Sequence, residues 1–254
     1  MYLCSIKIII MVKLLYRTYQ LLIALPIFLI WTIFISLTMS IGCTLGGGKF
    51  FGYYPAKWWG WFVVRLLLLP VKVEGRENLE KGQSYVFVAN HQGAFDIFLI
   101  YGFLGRDIRW MMKHQLGNIP FFGNACKRSR QIMVDNSSIA KVKQCYREAS
   151  EILRGGTSLV VFPEGARTWD GKMRPFKKGA FMLADELQLP VVPITINGSF
   201  VVKPRMKDLY FCFWHPLSLT IHAPIPPQGS GTDDVNHFKE KSYAEIEKDL
   251  AIKS

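Results

Sequence analysis

From Thr18 to Gly48 the chain runs for 31 residues without one charged side chain, and its apolar centre, Leu21 to Cys43, reads LLIALPIFLIWTIFISLTMSIGC. About 20 apolar helical residues are enough to cross the hydrocarbon core of a bilayer, so a chain carrying this run is expected to fold against a membrane. Secretory signal cores span only roughly 7–15 residues before a small-residue cleavage site, so the run is read as a retained anchor. Pro26 lacks a backbone donor and crowds the preceding turn, which predicts a local distortion of the helix.

The placement of charge agrees. The first acidic residue is Glu74, and seven basic residues precede it: Lys7, Lys13, Arg17, Lys49, Lys57, Arg65 and Lys72. Of the net charge of +12, the first 73 positions therefore hold +7, and the other 181, with 24 basic and 19 acidic residues, hold +5. Basic residues interleaved with long apolar runs suit an anionic lipid surface, and no nucleic-acid partner is expected. A second apolar patch contains Trp58, Trp59, Trp61, Phe62 and Leu66 to Leu69. Clustered tryptophans favour the headgroup layer, and Arg65 makes this patch an interfacial helix rather than a second span. Lysines and arginines flank the first run on both sides, so charge does not set its orientation. Residues 1–70 are read as a helical membrane anchor and residues 71–254 as the folded domain.

Half of the residues are hydrophobic and only 20% are charged, which excludes a disordered chain. The five cysteines (Cys4, Cys43, Cys126, Cys145, Cys212) are odd in number and without CxxC spacing. They read as free thiols of a reducing compartment and not as a zinc site.

Beyond residue 70, strand and helix signals alternate. Tyr85 to Ala89, Ile108 to Met112, Gln131 to Val134, Ser158 to Phe162 and Val191 to Ile196 read as strands. Ser138 to Arg154 has helical apolar spacing, with Asn136, Ser137 or Ser138 available as a cap and Gly155-Gly156 as a stop. Further helices are expected near Lys178 to Gln188 and Asp233 to Leu250. This alternation predicts an α/β fold, a mostly parallel sheet flanked by helices, carrying the N-terminal membrane-associated anchor. Ligands of such sheets sit beyond the carboxyl ends of the strands. Polar clusters follow three of the predicted strands there: Asn90-His91, Asp135-Asn136 and Pro163-Glu164-Gly165.

The first cluster continues as Asn90-His91-Gln92-Gly93-Ala94-Phe95-Asp96. A strand-end His with a carboxylate five residues on, and a glycine between to let the chain turn, suits an acid–base pair in which the carboxylate fixes one ring nitrogen. A helix-capping Asp beside an unrelated His has the same spacing. The other cluster, Phe162-Pro163-Glu164-Gly165-Ala166-Arg167-Thr168, places the planar donor fork of Arg167 beside a glycine turn, with Lys172, Arg174, Lys177 and Lys178 close behind. That combination suits a phosphate, although a solvated loop would read the same way. No GxSxG elbow, HExxH, P-loop or GxGxxG occurs. Activation of a substrate hydroxyl is thus simpler than an enzyme nucleophile. His114, His215, His222 and His237 are scattered and read as structural or exposed.

Taken together, the two blocks resemble the glycerolipid acyltransferases: NHQGAFD is similar to their HxxxxD block and FPEGAR to their FPEGTR block, in the same order and about 70 residues apart. Gln131 to Asn136, Val192-Pro193-Ile194, and Lys113 with Ile119-Pro120-Phe121-Phe122-Gly123 match further family blocks. The likeness covers roughly residues 70–200. It implies a membrane enzyme that moves a fatty acyl group from acyl-CoA or an acyl carrier protein to the free sn-2 hydroxyl of lysophosphatidic acid. It further implies His91 as the base and Asp96 as its partner, Arg167 and Lys113 on the acceptor's phosphate, and Glu164 and Gly165 in support. No metal or organic cofactor is implied, because the thioester brings the activation. The implied setting is a membrane with the catalytic domain on the cytoplasmic side, as in a bacterial inner membrane. Asn136 stands where the family has Arg, and Ala166 where it has Thr. Another lysolipid acceptor, such as a lyso-ornithine lipid, a lipid hydrolase and a non-catalytic membrane lipid-binding protein are the alternatives.

Overall fold

The computed structural model describes residues 2–134, 137–153, 156–205 and 211–252. Helix α1 (Tyr2–Tyr19) passes through a π-helical turn (Gln20–Ala24) into α2 (Leu25–Thr44). Pro26 lies in the first turn of α2, so the expected distortion takes the form of a wide turn just ahead of the proline, where the missing donor and the bulky ring are accommodated without breaking the helix. Ile10–Thr44, 35 residues, is long and apolar enough to cross a membrane by length and composition. Most of its side chains face outward. A short α3 (Gly48–Phe51) and α4 (Tyr54–Leu66) follow.

The remaining elements are β1 (Val71–Glu74), β2 (Val86–Ala89), α5 (Phe95–Phe103), β3 (Ile108–Lys113), α6 (Phe122–Arg128), β4 (Ile132–Val134), α7 (Ile139–Leu153), β5 (Ser158–Val161), α8 (Gly179–Glu186), β6 (Val191–Asn197), α9 (Ser199–Val202), β7 (Leu217–Ile221) and α10 (Thr232–Asp249). The seven strands form one sheet in the order β1-β7-β6-β2-β5-β3-β4. Every neighbouring pair is parallel except β6 and β7. The expected mostly parallel sheet is therefore present, with β1 and β7 running against the other five.

Alternation along the strands divides the core into two layers. Phe87 and Ala89 of β2, with Trp110, Val192 and Ile194, meet Ile35 and Met39 of α2, Val64 of α4 and Leu99 and Ile100 of α5. Val86 and Val88 point the other way, with Leu159 and Val161, onto Ala149 and Leu153 of α7, Phe181 and Leu183 of α8, and Phe238 of α10. Helix α7 is opened by Ser138, whose Oγ accepts from the Lys141 N–H at 3.3 Å.

Besides the four-residue helices α3 and α9, four elements carry no clear sequence signal. β1 is an edge strand of four residues with Lys72 and Glu74 on its open face, too short for a period to register. In β7 the pattern LSLTI alternates over only five residues. α5 is apolar nearly all round because α4 and the sheet enclose it, so it has no polar face to reveal a helical period. α6 spans only seven residues.

The segment read as an anchor also enters the core. α4 buries Val63 and Val64 while leaving Trp58 and Trp61 half exposed, and Trp59 Nε1 donates to Thr32 Oγ1 of α2 at 2.9 Å. α4 crosses α5 at two glycines. A Cβ on Gly60 would come within 2.7 Å of the Phe98 carbonyl oxygen, and one on Gly102 within 2.5 Å of the Trp61 backbone nitrogen. Both obstacles are main chain, so a methyl at either position must separate the helices. Gly102→Ala is expected to lower the thermal midpoint by roughly 3–10 °C, from the usual cost of overpacking a core and the size of the domain. An unchanged midpoint in a thermal melt would show that the crossing is not this tight.

Candidate active site

β2 ends at Ala89, and the chain leaves the sheet through Asn90, whose side chain is fully buried. Its Nδ2 donates to the Ile196 carbonyl, and its Oδ1 accepts from the Ile196 N–H, both at 2.8 Å. This pair fastens the β2 loop to β6. The next residue, His91, places Nδ1 2.8 Å from Asp96 Oδ2. Asp96 is completely buried in the first turn of α5, where the helix dipole favours a negative charge, and the same oxygen accepts from the Gly93 N–H at 2.9 Å. The imidazole lies flat against Phe162, with centroids 3.8 Å apart and planes 4° apart. One face of the ring is thus covered and one nitrogen is held, while Nε2 has no hydrogen-bond partner among the described residues.

The β5 loop closes the site from the neighbouring strand. Glu164, also buried, accepts from the His91 backbone N–H through Oε1 at 2.7 Å and from the Arg174 N–H through Oε2 at 2.9 Å. Burial drives its carboxyl up to about 7, against the pull of those two N–H groups and with a small push from Asp96. Gly165 has φ +76°, the left-handed region that a side chain disfavours, and its N–H closes the turn onto the Phe162 carbonyl at 3.0 Å. The Thr168 N–H donates to the His91 carbonyl at 3.0 Å, and Gln92 Nε2 donates to the Gly171 carbonyl at 3.0 Å. These bonds carry the chain past Arg167, which is partly buried and whose guanidinium has no partner among the described residues.

Five of the six residues singled out from sequence therefore come together: His91, Asp96, Glu164, Gly165 and the backbone of Arg167. Lys113 ends β3, which is separated from β2 by β5, and its exposed ammonium has no partner among the described residues. Asp135 and Asn136, the third loop cluster, lie outside the described residues. Two participants lacked a usable signal. Phe162 sits inside the FPEGAR block but looks like the end of a strand. Arg205, 38 residues beyond Arg167, donates from Nη1 to the Arg167 carbonyl at 2.9 Å and lies 4.0 Å over the Trp169 ring. No short-range pattern could connect it to that loop.

A carboxylate-held imidazole whose second nitrogen has no partner among the described residues, on a loop bonded to the one that carries Arg167, can remove a proton from a hydroxyl of an anionic substrate. Residues 70–197 match the family profile described as Acyltransferase. The chain is 32% identical over 214 residues to the 1-acyl-sn-glycerol-3-phosphate acyltransferase of Saccharomyces cerevisiae, covering 82% of this chain and 69% of that protein. It is 34% identical over 173 residues to the enzyme of that name from Helicobacter pylori, covering 65% and 73%. With a chloroplastic enzyme of that name from Arabidopsis thaliana it shares 32% identity over 196 residues, and the chain spans 54% of that longer protein. The crystal structure of the 1-acyl-sn-glycerophosphate acyltransferase from Thermotoga maritima superposes with a TM-score of 0.74 at 26% identity, covering 92% of this chain and 95% of that one. The chain belongs to the acyltransferase family.

Glu164→Gln tests the two-loop clamp. An amide supplies one acceptor and turns its NH₂ toward the other N–H, so turnover is expected to fall by about tenfold or more. The same substitution changes the pH dependence of stability. The Glu164 carboxyl is raised in the folded state from its ordinary 4.5 to about 7, so the cost of its buried charge is absent below 4.5 and complete above 7. The wild type should therefore lose stability across that window relative to Glu164→Gln, as read by denaturant titration at several pH values. Parallel pH profiles would contradict the raised carboxyl.

Proposed function

We propose that this chain is a membrane-bound 1-acylglycerol-3-phosphate O-acyltransferase, moving a fatty acyl group from an acyl thioester to the sn-2 hydroxyl of lysophosphatidic acid to form phosphatidic acid. The observation that carries this reading is the His91–Asp96 pair at the end of β2, with Nδ1 held at 2.8 Å and Nε2 without a partner among the described residues. The shared name of the relatives supports the choice of acceptor.

In this mechanism Nε2 takes the proton of the acceptor hydroxyl as its oxygen attacks the thioester carbonyl. The new ester bond forms, the carbon–sulfur bond breaks, and the imidazolium returns the proton to the departing thiolate. Asp96 holds the ring in the tautomer that leaves Nε2 basic and stabilises the cation formed midway. Phe162 keeps the ring from swinging, so the hydroxyl and the base meet in one geometry. Arg167 and Lys113, both without partners among the described residues, bind the phosphate of the acceptor. Glu164 holds the His91 loop against the β5 loop. The thioester supplies the driving force, so no metal or organic cofactor takes part.

Acyl-CoA and acyl carrier protein are both anionic donors that fit a chain of net charge +12. The long apolar helix holds the enzyme at the bilayer where the acceptor and product reside. The catalytic domain faces the cytoplasm, a placement supported by the free thiols of Cys126 and Cys145 in its interior.

The test is transfer of a labelled acyl group to lysophosphatidic acid by purified wild type, His91→Ala and Arg167→Ala. Wild type should form phosphatidic acid, and His91→Ala should lose roughly 10²–10⁴-fold in turnover. Arg167→Ala should raise KM for this acceptor far more than for one without a phosphate. Near-normal turnover of His91→Ala would remove the base from the mechanism. Product formed only from a phosphate-free acceptor would reassign the lipid to another lysolipid class.

A further inference from the structure

The carboxyl end of α4 has an unusual supply of hydrogen-bond donors. A helix normally leaves its last carbonyls to water. Here the Val63, Val64 and Arg65 carbonyls accept from the N–H groups of Leu67, Leu69 and Leu68. The next three each receive a side chain. Leu66 O accepts from Tyr19 Oη at 2.6 Å, Leu67 O from Tyr16 Oη at 2.8 Å, and Leu68 O from Trp214 Nε1 at 2.9 Å. The Pro70 carbonyl then accepts from the Leu217 N–H at 2.9 Å. Across the same surface, Gln20 of the π turn donates from Nε2 to the Cys212 carbonyl and accepts from the Cys212 N–H through Oε1, both at 2.8 Å. Five backbone polar groups from two separate segments are thus closed by side chains, three of them aromatic.

The surface around them is apolar. Leu68, Phe213 and Trp214 are 62%, 42% and 56% exposed, and the same stretch of the long helix exposes Leu14, Leu15, Leu21 and Leu22 on its other sides. Water would satisfy an exposed carbonyl unaided. Only where water is absent must each backbone group find a partner within the protein. We propose that the carboxyl end of α4 and the 211–214 loop are immersed in the lipid bilayer, so that the folded domain itself meets the lipid through a collar formed by Tyr16, Tyr19, Gln20, Leu68, Phe213 and Trp214.

Charge selects a bilayer over a second copy of the chain as the occupant. Lys13 and Arg17 flank the collar, Arg17 sits 5.6 Å over the Phe211 ring, and no acidic residue precedes Glu74. A twofold contact would oppose two positive surfaces, whereas an anionic leaflet attracts each of them. Tyrosine and tryptophan with a satisfied polar tip and an apolar body belong at this depth. This inference rests on the membrane-bound reading and extends it from the long helix to the body of the enzyme.

The test uses the full chain with fluorotryptophan at its seven tryptophans, bound to vesicles of phosphatidylcholine and phosphatidylglycerol, with the Trp214 fluorine signal assigned through Trp214→Phe. A nitroxide on the lipid chains should abolish the Trp214 signal, and a water-soluble gadolinium chelate should leave it intact. The reverse pattern, on protein that binds the vesicles, would overturn the collar while leaving the helix as anchor. Protection from both reagents in a dimeric protein would assign the surface to a second copy and overturn the collar. Failure to bind vesicles at all would remove the membrane reading as well. Trp214→Phe supplies a second readout, because it keeps an aromatic ring at this half-exposed position and removes the donor together with part of the indole. In vesicles its melting midpoint should drop by roughly 2–8 °C, since no water replaces the lost bond. An unchanged midpoint would place the Leu68 carbonyl in water and contradict the proposal.

Discussion

Asp96 has no contact with solvent, and its charge must be met by groups that the fold brings to it. It lies in the first turn of α5 and holds the His91 ring and the Gly93 N–H with a single oxygen. Much of the rest follows from that demand. α5 must start where β2 stops, so the loop between them is short and tightly turned. α5 must also lie flat between the sheet and α4, which is why its side chains are apolar on every side and why two glycines stand at the crossing. A carboxylate buried against His91 thereby fixes the helix that joins the sheet to α4.

The second buried carboxylate works differently. Glu164 binds only backbone N–H groups, one from each of two loops, and holds no side chain in place. Asp96 sets the orientation of the His91 ring, and Glu164 sets the distance between the β2 and β5 loops. Among the described residues, Arg167 and Lys113 are left without partners while the two carboxylates are engaged internally. This division suits a site that must present positive charge outward to an anionic lipid and keep its own negative charge from repelling it.

Much of this was legible in the sequence, and for identifiable reasons. The strands β2, β5 and β6 are buried on both faces and read as continuous apolar runs. α7 and α10 have one wet face and show their period. β1 and β7 escaped because four or five residues are too few for their alternation to register, and α5 because a helix enclosed on all sides carries no contrast between inside and outside. At the site, His91 and Asp96 are close in sequence, and their pairing could be read from spacing. The clamp made by Glu164, the Phe162 ring beneath the imidazole and the hold of Arg205 on the Arg167 loop all join residues 38 or more positions apart. Such links depend on strand order, and the order that places β5 beside β2 is not encoded in any local pattern.

The central claim is that Asp96 holds His91 with Nδ1 protonated and Nε2 free to act as base. Nitrogen NMR of ring-labelled histidine in the intact protein at neutral pH tests it most directly, with His91 assigned by comparison with His91→Ala. The protonated nitrogen should be Nδ1, with Nε2 showing the shift of an unprotonated acceptor, and Asp96→Asn should disturb that preference. A wild-type His91 carrying its proton on Nε2 would contradict the claim, because the nitrogen facing the substrate would then have no lone pair with which to take the hydroxyl proton.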